Sequence, residues 1–189
     1  MLIPDFSKLK DRLAARAPKR VEEPGIMETS VALILTPGKL GLEALFIRRA
    51  ERPDDPWSGH IALPGGRRDP GDDDRLATAV RETKEEVDVL LPASALLGAL
   101  DDLAPSTPRL PPLVIRPYVF GFEARPEARL SEEVAGVMWL PLSELASCEG
   151  KAVVPLRGET REVACYAYGG VVIWGLTYRI LSGFLKLAA

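Results

Sequence analysis

Three glutamates and one arginine fall within Arg81-Glu82-Thr83-Lys84-Glu85-Glu86-Val87, behind Gly65-Gly66-Arg67-Arg68-Asp69-Pro70-Gly71 and a short acidic run. On a helix that advances about 100° per residue, Glu82 lies beside Glu85 and Glu86 on one face. Like charges at that spacing destabilise a helix by roughly 0.2–0.5 kcal/mol per pair. A carboxylate cluster behind a glycine turn therefore points to a divalent cation, and hard oxygen ligands point to Mg²⁺ or Mn²⁺. A solvated Glu-rich face is the plainer reading of such a cluster taken alone.

Phosphoanhydride hydrolysis is chemistry such a cluster can support. It requires charge neutralisation on two phosphates and a deprotonated water in line with the scissile bond, and a bound divalent ion supplies both. Glu82, Glu85 and Glu86 are the candidate ligands, with the backbone carbonyl of Gly66 as a further oxygen. Gly65 and Gly66 also offer backbone conformations closed to other residues and a close approach to an oxyanion or metal.

Leu63-Pro64-Gly65-Gly66, the acidic linker and R-E-T-K-E-E-V together resemble the box of the Nudix hydrolases, G-x5-E-x7-R-E-U-x-E-E-x-G-U with U apolar. Counting back from Arg81, the box glutamate falls on Asp73, the first box glycine on Arg67, the apolar U on Thr83 and the late glycine on Asp88. A one-residue insertion accounts for the shifted glycine. The variant G-G-R-x-D-x-x-D…T-A-x-R-E, carried by Gly65, Gly66, Arg67, Asp69, Asp72, Thr78, Ala79, Arg81 and Glu82, resembles the coenzyme A pyrophosphatase branch.

That branch carries an upstream signature resembling L-L-T-x-R-S and a glycine before F-P-G-G. The corresponding residues here are Ala44 to Ala50 and Gly59 to Pro64, a partial fit that lacks Thr and Ser. Ile173-Trp174-Gly175-Leu176-Thr177 is similar to the turn before the last helix in that branch. The resemblance implies a Nudix-like α/β/α sandwich around a central mixed β-sheet, and Arg81 as the guanidinium that orients a box glutamate. A surface ion pair between Arg81 and Glu85 is its structural alternative.

The implied reaction is hydrolysis of coenzyme A or acyl-CoA to 3′,5′-ADP and 4′-phosphopantetheine or its acyl form. ADP-ribose, NADH and other nucleotides are alternative substrates, and a noncatalytic nucleotide sensor is the alternative of another class. In the superfamily the general base is not always in the box, so Glu132 and Glu133, outside it, are further candidates for base or ligand, against a reading as solvated loop acids.

Arg48, Arg49 and Arg52 are candidates for an electropositive edge over substrate phosphates, or equally a solvated strand end. Arg67 joins the candidate substrate contacts. His60, the single histidine, is a candidate contact for phosphate or adenine, with a packed structural role as the plainer reading. Trp57 is read either as a base-stacking residue or as an ordinary half-buried loop tryptophan.

The elements that must position these groups follow from periodicity. Residues Phe6 to Ala17 read as an amphipathic helix stopped by Pro18. Ser30 to Leu35 and Leu42 to Arg48 read as a hairpin about Pro37-Gly38, followed by a polar loop from Arg49 to Gly59 and a short strand Ile61 to Leu63. A helix is predicted over residues 74–87, with Leu76, Ala79, Val80, Thr83 and Val87 inward and the carboxylates elsewhere. Strands are expected at 96–100, 114–122 and 136–140, a short helix capped by Ser143, a hairpin 161–168 and 171–174, and an apolar helix 176–187. The fold class is α+β, with residues 1–28 as an N-terminal helix and linker and 29–189 as the Nudix domain.

Composition sets outer bounds. The chain of 189 residues has 47% hydrophobic and 27% charged residues, ordinary for a soluble domain with a real core. A net charge of −3 provides no field for nucleic acid, and the resemblance implies a small nucleotide as partner, with a homodimer also admitted. No apolar run approaches a membrane span, and the N-terminus is charged from Asp5 onward, so a soluble, unsecreted protein is expected. Cys148 and Cys165 read as free thiols, Cys165 buried, which favours a cytoplasmic setting.

Overall fold

The computed structural model describes residues 6–52, 57–105, 111–156 and 159–188. Asp5 and residues 53–56 of the expected polar loop lie outside them. The elements run α1 (Phe6–Ala14), β1 (Met27–Gly38), β2 (Gly41–Arg49), β3 (Ile61–Ala62), β4 (Gly65–Arg67), α2 (Arg75–Val87), β5 (Leu96–Ala99), β6 (Leu113–Gly121), β7 (Val134–Pro141), α3 (Leu142–Ser147), β8 (Glu149–Leu156), β9 (Glu159–Tyr168), β10 (Val171–Trp174) and α4 (Gly175–Ala188).

A mixed seven-stranded sheet carries the order β3-β2-β1-β6-β5, with β4 on β1 and β7 on β2. β1 and β6 are parallel, whereas β1 and β2 form an antiparallel hairpin. The β1–β2 pairing covers only Leu35 to Gly38 against Gly41 to Ala44. Beyond it the strands diverge, and the chain from His60 to Arg68 fills the fork. Its first part bonds to β2, through Ile61 opposite Arg48 and the Arg49 N–H on the His60 carbonyl at 3.0 Å. Its second part bonds to β1, through Ala32 N–H on the Pro64 carbonyl at 2.8 Å and Gly66 opposite Ser30. The glycine pair is thus a short strand stitched into the sheet, not the free turn its composition predicts.

Alternation along the strands divides the core between two faces. Leu33, Leu35, Ala44 and Phe46 face α1, α3 and α4, and Ala32, Ile34, Leu45 and Ile47 face α2 and the 3₁₀ turn at Ala93–Ala95. Helix α1 ends at Ala14, three residues short of the expected stop, and buries Leu9 and Leu13 in the first of these clusters. It fits because a side chain at Gly98 or Gly121 would strike Leu13 or Phe6 at 2.9 Å.

One other expectation is corrected, and one strand was not expected. Ser143 does not cap α3. Pro141 occupies the cap position, and the Ser143 hydroxyl donates to the Leu40 carbonyl at 2.8 Å. Strand β8 carries no clear apolar alternation and escapes the sequence pattern, yet it pairs along its whole length with β9 in a second, three-stranded sheet. Backbone pairing with a neighbour, not side-chain burial, defines it. Cys165 is buried and, like Cys148, free. No helix among the described residues is long and apolar enough to cross a membrane.

Candidate active site

Helix α2 is capped by Asp74, whose backbone is extended and whose Oδ1 accepts the Ala77 N–H at 2.7 Å. It ends at Asp88, a left-handed residue with φ of 55° whose N–H returns to the Lys84 carbonyl. That conformation favours glycine, which is why the family pattern places one there and why Asp88 is the box position at which this chain carries strain. Ala79, Thr83 and Val87 are fully buried against the sheet, as the periodicity predicts.

The inward face also takes a carboxylate. Glu86 is only 5% exposed. Its Oε2 accepts the Gly65 N–H at 2.9 Å, which ties the helix to the start of the glycine strand. Burial pushes the Glu86 carboxyl up to about 7, the Gly65 N–H opposes the rise, and the charges of Glu82 and Glu133 add to it against Arg49. The sequence reading, which turned all three carboxylates away from the core, is corrected here: position 86 lies at the edge of the stripe formed by 79, 83 and 87.

Arg81 uses its guanidinium on both edges. Nε and Nη2 donate to Asp72 Oδ1 and Oδ2 at 2.8 and 2.9 Å, and Nη1 donates to Glu82 Oε1 and Glu85 Oε2, both at 2.9 Å. Nη2 also reaches the Arg67 carbonyl at 3.0 Å. Arg81 therefore bonds Glu82 and Glu85 at once, so the Arg81–Glu85 pair does not exclude contact with a second glutamate. The acid that the motif count placed at Asp73 is, in space, Asp72: Asp73 is exposed, whereas Asp72 is buried and also accepts from Thr78 Oγ1 and Asp69 N. Its bond to Arg81 holds the Asp72 carboxyl far below the usual range, and the same bond raises Arg81 further.

Glu82 lies over Gly66. A Cβ at Gly66 would come within 2.5 Å of the Glu82 carboxyl carbon, so only glycine leaves room for that carboxylate. Burial raises the Glu82 carboxyl, with the Arg81 hydrogen bond in opposition. Glu85 is the outermost of the three, with 58% of its side chain exposed. Among the described residues no three acids, histidines or cysteines converge on a common point. The donor set nonetheless suits a hard divalent ion: carboxylate oxygens, with Glu82 and Glu86 both desolvated and the charge of Glu82 adding to the rise of Glu86, which a cation relieves.

The remaining candidates divide. Arg49 follows a bulge in the pairing of β2 with β7 and places its charge near Glu86. Arg48 precedes the bulge, on the strand parity of Ala44 and Phe46, whose cluster packs away from α2. Glu133 is held by its own carbonyl, which accepts Ala50 N–H at 2.9 Å, while its carboxylate meets Arg52 at 3.4 Å. The neighbouring Ser131 N–H donates to the Glu86 carbonyl at 3.0 Å, so the loop before β7 is pinned to α2. Glu132 is exposed. The His60 ring packs edge-on to Trp174 with centroids 4.7 Å apart, joining the second sheet to the glycine segment. Trp57 is 40% exposed.

Several residues of the frame were not foreseen. Glu28 on β1 accepts from Arg68 Nη1 at 2.7 Å and from Arg75, the first residue of α2, at 2.9 Å. Arg68 also donates to the Asp72 and Asp73 carbonyls. Asp102, its side chain wholly buried, accepts a fork from Arg116 at 2.8 Å twice, together with Arg20, Arg75 and the Val21 N–H. These partners are far apart in sequence, and isolated charged residues carried no local signal for them.

A mixed sheet lies between helical layers, with a glycine strand against an acidic helix and one arginine bonded to both. The chain belongs to the Nudix family, whose NUDIX domain matches residues 27–161. It is 41% identical over 106 residues to an uncharacterized protein of Schizosaccharomyces pombe, covering 53% of this chain and 32% of that one. It is 34% identical over 128 residues to the uncharacterized Nudix hydrolase NudL of Photorhabdus laumondii, covering 66% of each. The chain thus spans about a third of the first relative and just under two thirds of the second. The NUDIX domain of Shewanella oneidensis NrtR, solved with ADP ribose, shares the fold at a TM-score of 0.54, with 23% identity over 77% of this chain and 87% of that one. Nudix hydrolases generally use divalent metal ions.

Proposed function

We propose that the protein is a divalent-metal-dependent Nudix pyrophosphohydrolase that cleaves the phosphoanhydride of coenzyme A or acyl-CoA, releasing 3′,5′-ADP and (acyl-)4′-phosphopantetheine. The observation that carries the reading is the Arg81 guanidinium, which ties Glu82, Glu85, Asp72 and the Arg67 carbonyl into one unit beside the buried Glu86. The branch-type residues Asp69, Asp72, Thr78 and Arg81 meet there in a single hydrogen-bonded cluster, which supports the coenzyme A reading.

Glu82, Glu85 and Glu86, with the Gly66 carbonyl, would hold Mg²⁺ or Mn²⁺. Such an ion, when bound, neutralises phosphate charge and acidifies a water. Arg81 orients Glu82 and Glu85 through the two bonds from its Nη1. Glu86 keeps the glycine strand in register through the Gly65 N–H. Arg49 offsets the carboxylate field for an anionic substrate, and His60, Gly65, Gly66 and Arg67 complete the proposed substrate contacts, whereas Arg48 lies on the other face of β2 and is left out. Glu133, on the loop pinned to α2, is the proposed proton acceptor outside the box. We place the protein in the cytoplasm, acting on small nucleotides and not on nucleic acid, with self-association as a homodimer part of the same reading.

The test is incubation with Mg²⁺ or Mn²⁺ and coenzyme A, ADP-ribose, NADH or nucleoside triphosphates, with chromatographic resolution of the products. Coenzyme A cleaved most efficiently supports the proposal. Preference for another nucleotide moves the substrate and keeps the reaction class. Tight metal and nucleotide binding without any product identifies a sensor and removes the enzyme.

A further inference from the structure

An open groove of about 870 Å³ runs along the end of the sheet beside the box, with Glu82 and Arg81 at its border and Arg67 and Arg68 in its wall. Ile26, Met27, Pro111 and Pro112 provide apolar surface in the same groove. The cations differ in how far they are committed. Arg68 is spent on Glu28 and on the Asp72 and Asp73 carbonyls, and Arg81 on Asp72, Glu82, Glu85 and the Arg67 carbonyl. The Arg67 guanidinium is exposed and has no side-chain partner among the described residues. The nearby acid of the wall, Asp69, turns its Oδ1 to its own loop, accepting Gly71 N–H at 2.9 Å.

We propose that this groove receives the nucleoside end of the substrate, and that Arg67 binds a phosphate monoester carried outside the diphosphate. The inference rests on the proposed function and adds the feature of the substrate that the site selects. A planar guanidinium fork matches the oxygens of a terminal phosphate, and the apolar walls suit the face of a base. The groove opens directly onto Glu82, so a nucleotide lying in it has its diphosphate next to the box. The backbone of Arg67 is fixed from two sides, by pairing with Thr29 and by the Arg81 bond to its carbonyl at 3.0 Å. The reader of the outer phosphate and the arginine that orients the glutamates are thereby held at one distance. Nucleotides bearing the extra phosphate are favoured over otherwise identical ones without it.

Two measurements test this. Calorimetry on metal-free protein compares 3′,5′-ADP with 5′-AMP, and kinetics with Mg²⁺ compare coenzyme A with dephospho-coenzyme A, each for the wild type, Arg67→Ala and Arg67→Lys. The wild type is expected to bind 3′,5′-ADP roughly tenfold or more tighter than AMP. That ratio should fall to near one in Arg67→Ala and recover in part in Arg67→Lys, with the kcat/KM ratio following mainly through KM. Equal binding of the two nucleotides by the wild type, or an unchanged preference in Arg67→Ala, overturns the assignment. A binding preference that depends on Arg67 without any turnover supports the groove and removes the hydrolase reading. Turnover of both substrates with equal efficiency keeps the hydrolase and overturns the groove.

Discussion

Arg81 and Asp72 meet edge to edge through two parallel hydrogen bonds of 2.8 and 2.9 Å, although they stand nine positions apart with the start of a helix between them. Asp72 is nearly enclosed, its side chain 5% exposed, and its remaining contacts come from Thr78 and the Asp69 N–H. The pair fixes the end of the glycine loop to the helix that carries the glutamates.

Acid should therefore loosen the box. The folded-state affinity of Asp72 for a proton is depressed by Arg81, so its contribution is present above the unfolded carboxylate pKa of about 3.9 and is lost as pH falls below that. Asp72→Asn should cost about 1–3 kcal/mol at pH 7 and show a shallower loss of Tm between pH 5 and 3 than the wild type. Parallel Tm curves for the two proteins over that range would sink the assignment.

Glu86 titrates in the opposite sense. Its carboxyl is raised to about 7 by burial, so the folded state holds the proton more tightly than the unfolded chain. In EDTA the stability it contributes is complete below about pH 4 and is lost as pH climbs to 7. Glu86→Gln should then melt higher than the wild type at pH 8 and close to it at pH 4.5. Mg²⁺ or Mn²⁺ binding to the wild type should tighten over the same rise, since a proton must leave. With metal and substrate present, the variant should lose roughly a hundredfold or more in turnover while its Tm stays within a few degrees at neutral pH. Undiminished activity removes Glu86 from the proposed site.

Gly65 and Gly66 should fail in different ways. A Cβ at Gly65 would meet the Ser30 carbonyl oxygen at 2.2 Å with φ at +145°, a clash with backbone, and Gly65→Ala should cost roughly 2–4 kcal/mol. A Cβ at Gly66 meets the mobile end of Glu82 instead. Gly66→Ala should cost only about 1 kcal/mol yet reduce kcat by roughly a hundredfold, because the carboxylate is displaced. Thermal melts and steady-state kinetics on both variants separate the two effects. Matching melts and matching rates would show that Glu82 does not use the space over Gly66.

Asp88→Gly should stabilise the protein by about 0.5–1 kcal/mol, because the left-handed backbone at φ of 55° no longer carries a side chain. Urea unfolding measures it. A loss of stability would mean that the Asp88 side chain compensates for its conformation.

Asp102→Asn should cost about 3–5 kcal/mol, since it removes the charge that neutralises the buried fork of Arg116 and ties Arg20 and Arg75 to the same point. A change in Tm no larger than that of an exposed control such as Glu159→Gln would show that the network is not a structural tie.

Much of this was readable in the chain. The stripe Ala79, Thr83, Val87 announced α2 and its buried side, the acid-rich stretch announced the box, and the hairpins of β1–β2 and β9–β10 followed from glycine and β-branched residues. These features depend on neighbours within a few positions, where helix and strand geometry alone set which side chains share a face.

Tertiary structure decided the rest. It chose Asp72 over Asp73 as the partner of Arg81, buried Glu86 against Gly65, separated Arg49 from Arg48, and tied Glu28, Arg75 and Asp102 into the frame behind the box. Each of those outcomes depends on where a distant strand or loop comes to lie, and hydrogen bonding and desolvation between segments far apart in the chain leave no periodic trace in the order of residues.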